Sequence, residues 1–133
     1  MKPLRPLVYQ FPGSKYRVKV LFPDSAAEFR ERGDAEGWGL IADSSLAVTW
    51  IFPAPRGRWK HIAEVWIPLT SSQNTVIHEA VHAATHNARL MGLRGEIREE
   101  SVAHHTGEFS QWLLRQWRRK RKLTLLPLDA IVK

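Results

Sequence analysis

The stretch Thr75-Val76-Ile77-His78-Glu79-Ala80-Val81-His82-Ala83-Ala84 decides how this chain is read. On an α-helix, four residues turn the backbone by about 400°, so His78 and His82 leave one face about 40° apart and about 6 Å apart along the axis. The flanking residues support a helix. Thr70-Ser71-Ser72-Gln73-Asn74-Thr75 is rich in N-cap residue types. Val76, Ile77, Ala80, Val81, Ala83, Ala84, Leu90 and Met91 form a helix-compatible apolar set, and Gly92 suits the C′ stop. The expected helix covers residues 72–91.

The two histidines and the glutamate of this helix have separate chemical uses. Neutral imidazole nitrogen is a good zinc ligand at about 2.0–2.1 Å, so His78 and His82 can converge on one ion. Glu79 sits about 100° round the helix from His78, too far to share its ligand position but close enough to reach a water held on the metal. Zinc lowers the pKa of such a water to roughly 7, and a neighbouring carboxylate can take its proton. The pattern His78-Glu79-x-x-His82 therefore points to metal-assisted hydrolysis.

Two histidines leave a catalytic zinc one protein ligand short. A second helix is expected from Gly95 to about Lys122, and it opens with two candidates, Glu99 and Glu100, seventeen and eighteen residues after His82. Glu100 is favoured. Ala103 and Gly107 follow on its face, and small side chains there would let the two helices approach closely. Glu99 shares its face with Val102 and Thr106 and reads as an ordinary helix N-terminal acid.

His78, Glu79 and His82, followed by Glu-x-x-Ala from Glu100 to Ala103, resemble the gluzincin group of zincin metallopeptidases. In length the chain resembles the small single-domain minigluzincins and zincin-like proteins of phage and prophage origin. The likeness spans about residues 45–110. It implies that His78, His82 and Glu100 ligate Zn2+, that Glu79 is the general base, and that the substrate is a peptide or protein lying along an exposed sheet edge. Two departures stand out. His104 occupies the place of the orienting Asp of thermolysin-like enzymes, and the oxyanion donor is not identified: Tyr9 and Tyr16, the only tyrosines, are remote in sequence, which leaves His104 and His105 as candidates. His86 lies one turn further along the zinc helix, too far along the axis to complete the same site.

The rest of the chain frames an α+β, zincin-like domain: a small antiparallel or mixed sheet packed on the active-site helix, then a second long helix. All 133 residues fit one domain. Residues 1–14, with three prolines, are expected as an extended lead-in. Tyr16-Arg17-Val18-Lys19-Val20-Leu21-Phe22 alternates as a strand. A short helix over residues 26–32 should end at Gly33. Three strands follow as a meander at 38–42, 46–52 and 62–68, with Asp43-Ser44-Ser45 and the loop Pro53-Ala54-Pro55-Arg56-Gly57-Arg58 joining them. Trp50, Phe52, Trp59 and Trp66 are expected to pack on the sheet. The apolar tail Leu125-Leu126-Pro127-Leu128-Asp129-Ala130-Ile131-Val132 should pack on the domain; a less favoured alternative folds it over the cleft.

Composition narrows the setting. There is no cysteine, so no disulfide framework and no thiolate metal site. That fits a reducing compartment, and Met1-Lys2-Pro3-Leu4-Arg5-Pro6 lacks the apolar run of a secretory signal, so a cytoplasmic protein is expected. No apolar segment is long enough to span a bilayer, and no membrane partner is expected. Net charge is +7, much of it in Arg115-Gln116-Trp117-Arg118-Arg119-Lys120-Arg121-Lys122. This run suits a solvated helix C-terminus. It also supports an alternative function: a non-catalytic zincin-fold binding or regulatory protein that contacts nucleic acid through its basic helix end.

Overall fold

The computed structural model describes residues 3–37 and 47–124. Within them the order is β1 (Leu7–Gln10), β2 (Arg17–Leu21), α1 (Ala26–Ala35), β3 (Val48–Arg56), β4 (His61–Trp66), α2 (Gln73–Leu90) and α3 (Gly95–Thr124). The fold is α+β. A mixed four-stranded sheet has the order β1-β2-β4-β3; β2 and β4 run parallel, and the outer pairs are antiparallel.

Alternation on β2 and β4 builds the core. Val18, Val20, Ala63 and Val65, with Ile67 just past the end of β4, turn one sheet face towards α2 and α3, and all five are buried. On the other face Leu21, Phe29 and Trp66 form a smaller cluster under α1. α2 lies against the sheet through Val76, Ala80, Ala83 and Ala84, all buried. α3 contributes His105, Phe109, Leu113 and Trp117, a repeat of four that keeps one stripe inward. Gly107 is exposed, with nothing within 4 Å of a Cβ built on it, and Ala103 is exposed too.

The helix ends follow local chemistry. Ser72 Oγ accepts from Thr75 N at 3.1 Å, capping α2, and Gly92 takes φ 75° just past its end. Ser25 caps α1 in the same way through Glu28 N.

Several sequence expectations need correcting. The lead-in contains a strand: β1 pairs antiparallel with β2, from Leu7 opposite Val20 to Gln10 opposite Arg17. α1 runs through Gly33, which is buried inside it, and the left-handed turn falls at Gly37 instead, with φ 82°. β3 extends to Arg56 through Pro53 and Pro55. Proline lacks an N–H, so it is tolerated at a sheet edge, and β3 is an edge of the described sheet with its register broken between Ile51 and Arg56. Phe52 and Trp66 are buried as expected, whereas Trp50 and Trp59 are exposed, one on the edge strand and one in the β3–β4 turn. The expected strand at 38–42, the Asp43-Ser44-Ser45 connection and the tail from Leu125 lie outside the described residues. No described helix is long and apolar enough to cross a membrane.

Candidate metal centre

The buried face of α2 fixes where its polar residues go. Val76, Ala80 and Ala83 point into the core, so His78 and His82, well round the helix from them, stand on the outer face and are exposed. Their Nε2 atoms are 3.1 Å apart and their rings are nearly perpendicular, with an interplanar angle of 80°. Two nitrogens on a tetrahedral ion at about 2.0–2.1 Å stand roughly 3.3–3.4 Å apart. The pair is therefore close to the spacing an ion requires, and the same distance also suits one imidazole donating to the other.

Glu79 turns towards β3 and is 5% exposed. Its Oε1 lies 2.8 Å from Thr49 Oγ1, and its backbone oxygen lies 3.2 Å from the same hydroxyl. One hydroxyl proton serves one acceptor at a time, and the shorter contact to a carboxylate is the stronger. Thr49 thus fixes the orientation of the Glu79 carboxylate from the edge strand. The ligand atoms of His78, Glu79 and His82 all lie within 4.8 Å of one another, so the group could hold a metal ion.

The expected third ligand, Glu100, is not part of this convergence. It is exposed and lies about 140° round α3 from buried His105. Ala103 is exposed and lines a groove opposite Val81 and Thr85, and Gly107 is exposed with nothing within 4 Å of a Cβ built on it. Glu99 sits about 20° from the line of Thr106 and borders the groove between α2 and α3, together with Val81, Thr85, Arg98, Val102 and Thr106. This groove holds about 710 Å3. Its α2 side is formed by Val81, which adjoins His82 in the chain, and by Thr85 one turn on.

The residues considered for oxyanion binding serve elsewhere. His105 is buried; its Nε2–H donates to Pro12 O at 2.9 Å, while Nδ1 lies 3.4 Å from Asn87 Nδ2 and 3.3 Å from Ser101 Oγ. Ser14 Oγ donates to Asn87 Oδ1 at 2.8 Å, so this network ties the segment after β1 to α2 and α3. His104 is exposed and pairs with Glu108 at 3.1 Å. Tyr16 Oη donates to Leu90 O at the far end of α2. Tyr9 packs between Phe109 and Trp112, and burial, then the nearby Glu108 carboxylate, raise its pKa.

His86 is buried, and its Nε2–H donates to Phe52 O at 2.7 Å, locking α2 to β3 one turn beyond the pair. Burial lowers its pKa; the bond to Phe52 pulls the other way, and Arg89 lowers it further. A folded-state pKa below the unfolded value means the native state prefers the neutral ring. Its contribution is full above the ordinary value of 6.5 and is lost as pH falls through 6.5 towards the folded value. Urea unfolding should therefore give lower stability at about pH 5 than at about pH 7.5, with a smaller difference in His86→Gln. An equal difference in that variant would assign the pH dependence to other groups.

Thr49 is the site residue that sequence spacing missed. It stands thirty positions before Glu79 on a strand, and only the packing of β3 on α2 brings the two together. The basic run of α3 is solvent-facing, with Arg121 packed over Trp117 at 4.5 Å from the ring centroid. Comparison of the chain with protein-family models, curated proteins and solved structures finds no match.

Proposed function

We propose that this protein is a zinc-dependent peptidase whose site is built on His78, His82 and Glu79. The observation that carries the proposal is the convergence of two imidazoles 3.1 Å apart with a buried, hydroxyl-oriented carboxylate beside them. Nitrogen ligands and a carboxylate suit zinc, and a zinc ion bound there would supply a Lewis acid and an acidified water. His78 and His82 would hold it through Nε2. A carboxylate from the first turns of α3 would complete the set, and Glu99, which lines the groove with Val81 and Thr85, is better placed for this than Glu100. Glu79 accepts the proton of the attacking water and passes it to the leaving amine, while Thr49 keeps its Oε1 in place. An extended peptide would align with β3, the strand that touches Glu79, and the groove lined by Val81, Thr85, Val102 and Thr106 would take an apolar side chain. The cytoplasmic setting proposed from composition fits such an enzyme.

The test is hydrolysis of an unfolded protein substrate by the purified chain. Activity should disappear with a chelator and return with zinc. Activity that persists in chelator would exclude the proposal. The competing function, a non-catalytic module contacting nucleic acid through the α3 end, draws on the exposed cations Arg115, Arg118, Arg119, Lys120 and Lys122. It requires salt-sensitive binding that disappears when Arg118, Arg119 and Arg121 are neutralised.

A further inference from the structure

Two basic segments meet at the end of the sheet where β2 begins and β3 turns into β4. Lys15, Arg17 and Lys19 lead into and along β2; Arg56, Arg58 and Lys60 surround the turn. The segments are joined by backbone and side chain: Arg17 N donates to Lys60 O at 3.1 Å, and Arg17 Nη1 donates to Trp59 O at 3.0 Å. Residues 11–23 and 47–63 contain these six cations and no Asp or Glu. The ion pairs among the described residues are Arg32–Glu28 and His104–Glu108, so none of the six is neutralised by a carboxylate there. Glu64, in register with Lys19, accepts instead from Trp66 Nε1 at 3.4 Å. His61, paired in register with Arg17, senses the resulting field: burial, then Lys19 and Arg17, lower its pKa.

An aromatic ring sits in the middle of this charge. Trp59 is 54% exposed, and the guanidinium carbons of Arg17 and Arg58 each lie 5.1 Å from its ring centroid. The turn that presents it is tight: Gly57 has φ 75°, Lys60 has φ 54°, and Lys60 N donates to Gly57 O at 3.2 Å. The indole is therefore held outward on a short, defined turn. The basic run of α3 has no equivalent, because its Trp117 is 4% exposed and covered by Arg121.

We infer that this end of the sheet binds single-stranded nucleic acid, with Trp59 stacking on an unpaired base and the surrounding Lys and Arg side chains taking the phosphates. Unneutralised cations follow the backbone of a strand, and an exposed ring adds stacking that any base can satisfy. A paired base in a duplex is closed to such a ring, and a sulfated polysaccharide has no base to stack. This site is distinct from the α3 run and independent of the peptidase proposal.

The experiment is fluorescence anisotropy of a dye-labelled single-stranded oligothymidine with the full chain over a range of salt. The corresponding duplex and heparin serve as competitors. Trp59→Ala should weaken binding about tenfold with the salt slope unchanged, and Trp59→Phe should retain most of the affinity. Arg56→Ala with Arg58→Ala should lower the slope of log K against log salt by about 0.7 for each phosphate that is no longer neutralised. All these side chains are on the surface, so matching thermal melts would confirm that the variants are folded. Four results would each overturn the inference: no binding at low salt, duplex bound as tightly as single strand, Trp59→Ala within about twofold of the parent, or weakening confined to neutralising Arg118, Arg119 and Arg121.

Discussion

Glu79→Gln should leave metal bound and lower peptide hydrolysis by about a hundredfold or more, the range expected when a positioned general base is removed. The amide has nearly the shape of the carboxylate and can still accept from Thr49 Oγ1, so the contact between α2 and β3 survives. What it cannot do is take up a proton. Thr49→Val is the informative companion. It removes the hydroxyl that orients Oε1 but leaves the base, so the loss should be smaller, about tenfold, and carried by kcat rather than KM. Unchanged hydrolysis in Glu79→Gln would remove Glu79 from the reaction. An equal loss in both variants, with metal retained, would mean that orientation matters as much as basicity.

Phe109→Ala should lower stability by about 3–5 kcal/mol, the range for deleting a fully buried aromatic ring. Phe109 is completely buried, and its ring lies 4.5 Å from Tyr9, 5.4 Å from Phe11 and 6.1 Å from Trp112, centroid to centroid. It therefore holds α3 against the strand and loop at the start of the chain, where the His105–Pro12 bond also acts. Urea unfolding should show a lower midpoint with an unchanged slope. Ile97→Ala, at a position 69% exposed, should be close to neutral by the same measurement. A loss below about 1 kcal/mol for Phe109→Ala would mean that α3 is not anchored through this ring.

The helices were legible in the sequence because their signals are local. The run of cap residues before Gln73 and the glycine after Met91 bounded α2 to within a residue at either end. The pairing of His78 with His82 also followed from helix geometry alone. Sheet order was not legible in the same way. The parallel pairing of β2 with β4 depends on a crossover, and β1 is too short to show alternation among the prolines that precede it. The end of β3 was hidden for a different reason: Pro53 and Pro55 read as a loop in sequence, and only its place at an edge lets the strand run on through them.

The candidate site divides along the same line. His78, Glu79 and His82 share one helix, so spacing placed them correctly. Thr49, and any carboxylate that α3 would contribute, depend on how separate elements pack, which spacing does not encode. The preference for Glu100 rested on small residues at 103 and 107 meeting α2. In the structure Gly107 is exposed with open space beside it, and the groove is lined by Glu99 and Ala103, with Glu100 outside that lining. His105 was hidden for a similar reason: it is absorbed into a buried network that no linear pattern reveals.

Whether His78 and His82 together hold one divalent ion decides everything proposed for the site, and zinc titration by calorimetry, with metal analysis of the dialysed protein, answers it. One zinc per chain is expected, abolished in His78→Ala and in His82→Ala, weakened in Glu99→Ala and unaffected in Glu100→Ala. A chain that binds no zinc, or that binds it equally well without either histidine, would be incompatible with a metal centre on α2.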